Sequence, residues 1–177
     1  MGRLTYQKAP EDFLAAMREL GRLRRLGGLR RPDVVGVWVG DGELAERVGR
    51  LTRSASGPRV VLAGERADIP DILPAFDVFA LPSRYEGLPT VVVEAIVCGI
   101  PVVATAVNAV GDVVVPGETG LLVPPHRPEL LAEAVNYLLD SPDAAARMAT
   151  TARERLGTRF NVAALREALV AAYTGQH

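Results

Sequence analysis

The chain has 177 residues and a net charge of −1, and 49% of its residues are apolar. This length suits one domain with a real core, and the near-neutral charge gives no overall field that would attract nucleic acid. The single cysteine, Cys98, excludes a disulfide within the chain and fits a reducing, cytoplasmic compartment. We expect neither a signal peptide nor a membrane-spanning segment, because no apolar run is long enough.

The first half of the chain alternates between helical spacing and short apolar runs. Residues 10–26 have the spacing of an amphipathic helix, which Gly27-Gly28 is expected to end. The apolar residues on its buried side are Phe13, Leu14, Met17 and Leu20. Apolar, β-branched runs at 33–40 and 59–64 end in glycine and predict buried strands, with a helix between them. The segment 69–76 can hold only a short helix.

The second half continues this alternation. We predict a strand over 77–83 and, despite its valines, a helix over 90–99. The position of Gly99 favours the helix, because the next apolar run, 100–105, makes a better strand. A last strand is predicted over 120–125. Three helices follow, at 128–139, 142–156 and 161–174.

Strands that are apolar throughout and alternate with helices predict an α/β fold, with a Rossmann-like parallel sheet covered by helices on both faces. The whole chain, 1–177, would form this one domain. Ligands of such folds bind beyond the carboxyl ends of the strands. The segments 40–42, 64–66 and 83–89 directly follow predicted strands, so we expect them to meet at one rim of the sheet.

The third of these loops carries the most informative residues. Gly87-Leu88-Pro89 leads into the helix near Thr90, where free backbone N–H groups and the helix dipole favour an anion such as phosphate. Glu86 precedes this turn and Glu94 lies about one turn into the helix. Carboxylates would repel phosphate, so we interpret them as acceptors for hydroxyl groups on either side of it. The alternatives are a plain loop carboxylate for Glu86 and a buried arginine partner for Glu94.

These residues also carry a resemblance to a known family. The stretch "FALPSRYEGLPTVVVEAIVCGIPVVAT", followed by "GETGLLVPP", resembles the donor-binding half of the retaining family 4 glycosyltransferases, which have the GT-B fold. The family has a pair of glutamates separated by seven residues, and Glu86 and Glu94 correspond to this pair. "GRLTYQK" is similar to its Gly-Arg-Leu…Lys stretch, "VWVGDGE" to its glycine loop, and "MATTARERLGTRFN" to its late helix.

The resemblance implies a role for each matching position. Residues at the reacting groups would be Arg3, Lys8 and Glu86. Positions that would contact the donor are Gly40, Gly42, Arg66, Ile69, Gly87, Leu88, Thr90, Val91 and Glu94. The two basic side chains would neutralise the diphosphate, and the backbone N–H groups at the start of the helix would hold phosphate and sugar oxygens. Glu86 would bind the sugar, Glu94 the ribose diol, and the loop from Gly64 to Ile69 the base.

The same resemblance implies an enzyme that moves a hexose-type sugar from a UDP-, GDP- or ADP-sugar to a hydroxyl acceptor with retention of configuration. We find no Asp-x-Asp pair, so no metal is expected. Family members also have an amino-terminal acceptor domain, whereas this chain starts at the Gly-Arg-Leu motif. We therefore expect an isolated donor domain that is inactive alone, with the acceptor domain as its partner. A solvated, disordered Arg3 is the alternative to its diphosphate role.

Two other functions share the predicted architecture: a non-catalytic flavodoxin-like binding module and a nucleotide-sugar epimerase. The first would require an acidic cluster after the first strands, which Asp41 and Glu43 imitate poorly. One charged feature lies outside the motif, namely the arginines at 18, 22, 24, 25, 30 and 31. This cluster is either a solvated helix end or a contact with another domain or with anionic lipid at the inner face of a membrane.

Overall fold

The computed structural model describes residues 1–26, 33–54 and 57–159, in which helices and short strands alternate. The strands are β1 (Gly36–Trp38), β2 (Val60–Leu62), β3 (Phe79–Leu81), β4 (Val102–Thr105) and β5 (Leu121–Val123). The helices are α1 (Pro10–Leu26), α2 (Ala45–Ser54), α3 (Ile69–Ile72), α4 (Thr90–Val97), α5 (Val110–Val113), α6 (Pro128–Asp140) and α7 (Pro142–Arg159).

The strands pair in parallel, in two hydrogen-bonded groups. In the first group β1 lies beside β2, with Gly36 opposite Val60. In the second group β4 lies between β3 and β5. The expected parallel α/β architecture is thus confirmed, although the described residues form no ladder between β1 and β3.

Helix α1 joins the two groups of strands. It packs against α2 on one side and against α6 on the other. Its Leu14 belongs to a buried cluster with Trp38 of β1, whereas its Leu20 belongs to a cluster with Val103 of β4. The predicted amphipathic face of this helix therefore packs against both groups of strands.

Both faces of the second sheet are covered. On β4, Val102 and Ala104 pack into the cluster formed with α4 and α7, whereas Val103 packs into the cluster formed with α1 and α6. All four residues of this strand are buried. This explains why its sequence is continuously apolar instead of alternating.

The valine-rich segment is a helix, as predicted. Val92, Ala95 and Ile96 of α4 are completely buried. Glu94 lies on the exposed side of the same helix, so its charge is not in the core. Gly99 follows with a φ of +73°, a conformation that other residues rarely adopt, and it donates its N–H to the carbonyl of Ile96.

The remaining predicted strands and helices within the described residues are confirmed, and their ends differ by a few residues. Helix α5 was not predicted, and the helix predicted over 161–174 and the Gly27-Gly28 terminus lie outside the described residues. No helix in the described part of the chain is long and apolar enough to cross a membrane.

Part of the arginine cluster interacts within the domain. Arg22 pairs with Glu19 one turn earlier on α1, and Arg24 contacts Asn136 and Asp140 of α6. The exposed pair contributes little to stability, since both partners keep access to water. The Arg24 contact reinforces the packing of α1 on α6.

The loop after β1 is shaped by the amino-terminal segment. Gly2 donates its N–H to Val39 at 2.8 Å, and Leu4 donates to Asp41 at 2.9 Å. Gly40 has a φ of +126°, and a Cβ at this position would collide with the carbonyl of Gly2. The first glycine of the loop is thus required by the fold itself.

We predict that Gly40→Ala lowers the free energy of unfolding by about 2 kcal/mol or more, since both the backbone conformation and the close approach to Gly2 disfavour a side chain. Urea unfolding followed by circular dichroism measures this change. Gly111→Ala is the control, because a Cβ there meets nothing within 4 Å. Equal stability of the Gly40→Ala variant and the unmodified chain would show that the segment 2–4 is not docked as described.

Candidate functional site

A cavity of about 630 Å³ opens where the loops after β1 and β2 meet helix α4. Its lining consists of Met1, Gly2 and Arg3, the segment from Val39 to Gly42, the residues Glu65, Arg66 and Ile69, and Val91 and Glu94 of α4. This volume is typical of a small-molecule site. Two of the three loops expected to meet at one rim therefore share this cavity, and the start of α4 brings the third beside it.

Arg3 is held in this cavity by the residues on either side of it. Besides the backbone bonds of Gly2 and Leu4, the indole Nε1 of Trp38 donates to the carbonyl of Gly2 at 2.9 Å. The guanidinium itself is exposed. This arrangement differs from the alternative of a disordered Arg3. The backbone on either side of it is anchored by hydrogen bonds, and its side chain lines the cavity.

Glu94 faces the same cavity from α4. It shares one face of the helix with Val91, three positions earlier, which also lines the cavity. The described residues give its carboxylate no ion-pair partner, so the alternative of a buried arginine partner is not found there. Its exposure removes the desolvation cost that a carboxylate in an apolar run would otherwise carry.

Glu86 and Lys8 lie outside this lining and contact each other. The Nζ of Lys8 donates to Oε1 of Glu86 at 2.6 Å, and the Oγ of Ser83 donates to the same oxygen at 2.6 Å. Glu86 is only 5% exposed, so it is not a plain loop carboxylate. The aliphatic part of Lys8 lies against Gly2, which places this buried ion pair next to the cavity.

The turn before α4 leaves several backbone donors unused. The N–H groups of Gly87, Leu88 and Val91 donate to no acceptor among the described residues, whereas Thr90 donates to the carbonyl of Leu88 at 2.9 Å. Leu88 is 65% exposed. A Cβ on Gly87 would meet nothing within 4 Å, so packing within the domain does not require a glycine at this position.

The loop after β2 contains an internal ion pair. Arg66 donates its Nε to Asp68 at 2.7 Å and its Nη2 to the other carboxylate oxygen. The hydrogen bond from Arg66 lowers the pKa of Asp68 and raises the pKa of the guanidinium. Both side chains are exposed enough for solvent to weaken the pair. The pair nevertheless directs the guanidinium of Arg66 toward its own loop.

Met1 is half-buried and lines the cavity, with its amino group near Lys8. Burial, and then the positive charge of Lys8, lowers the pKa of this ammonium from 8.0 to about 5. It is therefore neutral at pH 7. The positive charges near the cavity at that pH come from arginine and lysine side chains.

The structure brings most of the predicted donor contacts together. Those in the lining are Arg3, Gly40, Gly42, Arg66, Ile69, Val91 and Glu94, and those beside it are Lys8, Glu86, Gly87, Leu88 and Thr90. Sequence reasoning placed Asp41, Glu65 and Ser83 in segments expected at this rim but named none of them individually as a donor contact. Asp41 and Glu65 directly follow predicted strands, and Ser83 is the last residue of one; that position was the available sequence signal.

A cavity at the carboxyl ends of parallel strands, lined by glycine loops and a helix start, is typical of nucleotide-binding α/β proteins. Residues 1–155 match the family described as "Glycosyl transferases group 1". This match covers most of the chain, so the chain belongs to that family. The membership confirms the resemblance found in the sequence and favours it over the flavodoxin-like module and the epimerase.

Individual relatives agree with this assignment. The chain is 33% identical over 177 residues to the alpha-D-kanosaminyltransferase of Streptomyces kanamyceticus, covering 98% of this chain and 44% of the relative. It is 34% identical over 166 residues to a Mycobacterium tuberculosis glycogen synthase, covering 91% and 38%. The structure of Anabaena Alr3699/HepE in complex with UDP is 27% identical, with a TM-score of 0.83 over 99% of this chain and 47% of that one. The chain thus spans less than half of each relative's length.

We predict that the chain becomes more stable as the pH rises from about 5 to 8. In this window the unfolded chain binds a proton at Met1 that the folded chain does not bind, because the folded pKa is about 5 and the ordinary value is 8.0. The free energy of unfolding should therefore rise by up to about 1.4 kcal/mol per pH unit from this group. Urea unfolding at several pH values measures this slope.

Acetylation of the Met1 amino group provides the control for this pH series. The acetylated chain keeps every other titrating group, so the difference between the two profiles isolates Met1. Identical profiles would contradict a buried amino group.

Proposed function

We propose that this chain is the donor-binding domain of a retaining glycosyltransferase that moves a hexose-type sugar from a nucleoside diphosphate to a hydroxyl acceptor. The observation that carries this proposal is the convergence of Arg3, Glu94 and the start of α4 on one cavity. A diphosphate and a diol are the groups that such a set recognises. Family membership and the UDP bound by HepE support the same class of ligand.

The diphosphate binds between Arg3 and the amino-terminal end of α4. The N–H groups of Gly87, Leu88 and Val91, which have no acceptor among the residues that the structure describes, can donate to its oxygens. The space beside Gly87 that a side chain would occupy is open, which lets phosphate approach the backbone closely. Thr90, whose N–H is already bonded in this structure, contributes only if that bond opens.

The nucleoside occupies the rest of the cavity. Glu94 accepts hydrogen bonds from the ribose diol, because a carboxylate that faces the cavity and has no ion-pair partner in the described part of the chain is a strong acceptor. The base lies against Ile69 and the backbone of the loop that follows β2. Since Asp68 holds the guanidinium of Arg66, base recognition in this loop relies mainly on backbone groups.

The sugar lies toward Glu86, on the side of the diphosphate away from the nucleoside. Lys8 uses one of its three N–H donors on Glu86, and the other two are available to the phosphate nearest the sugar. Arg3, Lys8 and the helix end then stabilise the charge that develops on the departing nucleotide, without a divalent metal. The acceptor hydroxyl attacks from the face that the phosphate leaves, assisted by that phosphate, and the configuration is retained.

The acceptor site belongs to a second, amino-terminal domain of the whole enzyme. The relatives are more than twice as long as the part that this chain matches. We accordingly expect the 177-residue chain to bind nucleotide and to transfer sugar at a negligible rate by itself.

We predict that Glu94→Ala weakens binding of the preferred nucleoside diphosphate by about 10- to 100-fold, the loss expected when hydrogen bonds to a charged acceptor disappear. Isothermal titration with UDP, GDP and ADP measures the affinities and identifies the base. Glu133→Ala is the matched control, since Glu133 is also an exposed helical glutamate and lies on α6, outside the cavity. The proposed donor site would be wrong if a folded chain bound none of the three nucleotides, or if both variants bound them equally well.

A further inference from the structure

Ser83 is a fully buried hydroxyl at the carboxyl end of β3. It is 0% exposed, and its Oγ donates to Oε1 of Glu86 at 2.6 Å. Its own carbonyl accepts a hydrogen bond from Oγ1 of Thr105 at 2.5 Å. Thr105 is the last residue of β4 and is also buried. Two neighbouring strands therefore fix the position of this serine.

The two donors to Glu86 use the same oxygen. Lys8 and Ser83 both donate to Oε1, each at 2.6 Å. Oε2 accepts no hydrogen bond within the part of the chain that the structure describes, and it is not among the side-chain atoms that are buried without a partner. It therefore keeps contact with solvent. The carboxylate is fixed through one oxygen, and the other keeps a small contact with solvent where it can accept a further hydrogen bond.

The segments on either side of Glu86 are also held in place. Arg84 donates its N–H to the carbonyl of Gln7 at 2.8 Å, and Nε2 of Gln7 donates to the carbonyl of Tyr85 at 3.1 Å. These two bonds fix the loop that carries Glu86 relative to the segment that carries Lys8. Within this frame, Ser83 is one of the two donors that fix Oε1 and thereby set the rotation of the Glu86 carboxyl group.

We infer that Ser83, fixed by Thr105, is a positioning residue that holds the Glu86 carboxylate so that Oε2 accepts a single hydroxyl group of the donor sugar. This inference rests on the proposed function, since it concerns the sugar end of the same donor site. Ser83 touches neither nucleotide nor sugar. Its effect falls on recognition of the sugar and not on binding of the nucleoside diphosphate.

The test compares nucleotide with nucleotide sugar. UDP, GDP and ADP and their glucose conjugates are titrated into the unmodified chain and into Ser83→Ala. We expect Ser83→Ala to bind the preferred nucleoside diphosphate within about twofold of the unmodified chain. The additional affinity that the glucose moiety provides should fall by about tenfold, the loss of one hydrogen bond to a charged acceptor. Nucleotide conjugates of monodeoxy-glucose then identify the hydroxyl. One of them should bind the unmodified chain more weakly than the glucose conjugate does, whereas Ser83→Ala should bind these two conjugates about equally well.

Two further variants separate positioning from general destabilisation. Thr119→Val removes another buried hydroxyl, which accepts a hydrogen bond from the N–H of Val115 at 2.7 Å and lies outside the cavity lining. It should leave the additional affinity that the glucose moiety provides (the glucose increment) unchanged. Thr105→Val acts through the carbonyl of Ser83 and should reduce the increment in the same direction as Ser83→Ala. If Ser83→Ala does not fold, the glucose increment of Thr105→Val tests the inference in its place.

Crystal structures of the unliganded chain and of Ser83→Ala provide a reading that needs no ligand. We expect the Glu86 carboxylate to rotate or to occupy two conformers in the variant. An unchanged Glu86 would overturn the inference, as would equal loss of nucleotide and nucleotide-sugar affinity, or a glucose conjugate that binds the unmodified chain no better than its nucleotide. If no nucleotide binds at all, the proposed function fails, and the crystal structures alone decide whether Ser83 positions Glu86.

Discussion

The docking of residues 2–9 across the carboxyl ends of both groups of strands is the constraint on which the site depends. At one end of this segment, Gly2 and Leu4 donate to the loop that follows β1. At the other end, Lys8 pairs with Glu86 on the loop that follows β3. The strands themselves form no ladder between these two places in the described part of the chain. The segment therefore links the cavity to the buried ion pair beside it.

This linkage gives the two glutamates different physical situations. Glu94 is exposed, lines the cavity and has no ion-pair partner among the described residues, so it can gain or lose a partner at little cost. Glu86 is buried, and two donors hold one of its oxygens. The first arrangement suits binding and release of a nucleoside. The second suits a group whose orientation must be kept, since leaving a buried carboxylate without its partners is costly.

Several of these features could be predicted from the sequence because they depend on local chemistry. The helix over 90–97 could be recognised despite its valines, since Gly99 ends it and a strand-like run follows. The contact between Lys8 and Glu86 could not be predicted from the sequence, because it joins residues 78 positions apart and depends on how the loops fold together. Helix α5 was missed for another reason: its four residues are too few to show a helical period, and no side chain caps them.

A crystal structure of the chain with its preferred nucleoside diphosphate tests the central claim most directly. The account predicts that the diphosphate contacts the guanidinium of Arg3 and the N–H groups of Leu88 and Val91. It also predicts that both ribose hydroxyls lie within hydrogen-bond distance of the Glu94 carboxylate. A nucleotide bound elsewhere on the domain, or bound in the cavity with Glu94 contacting no part of it, would contradict the account.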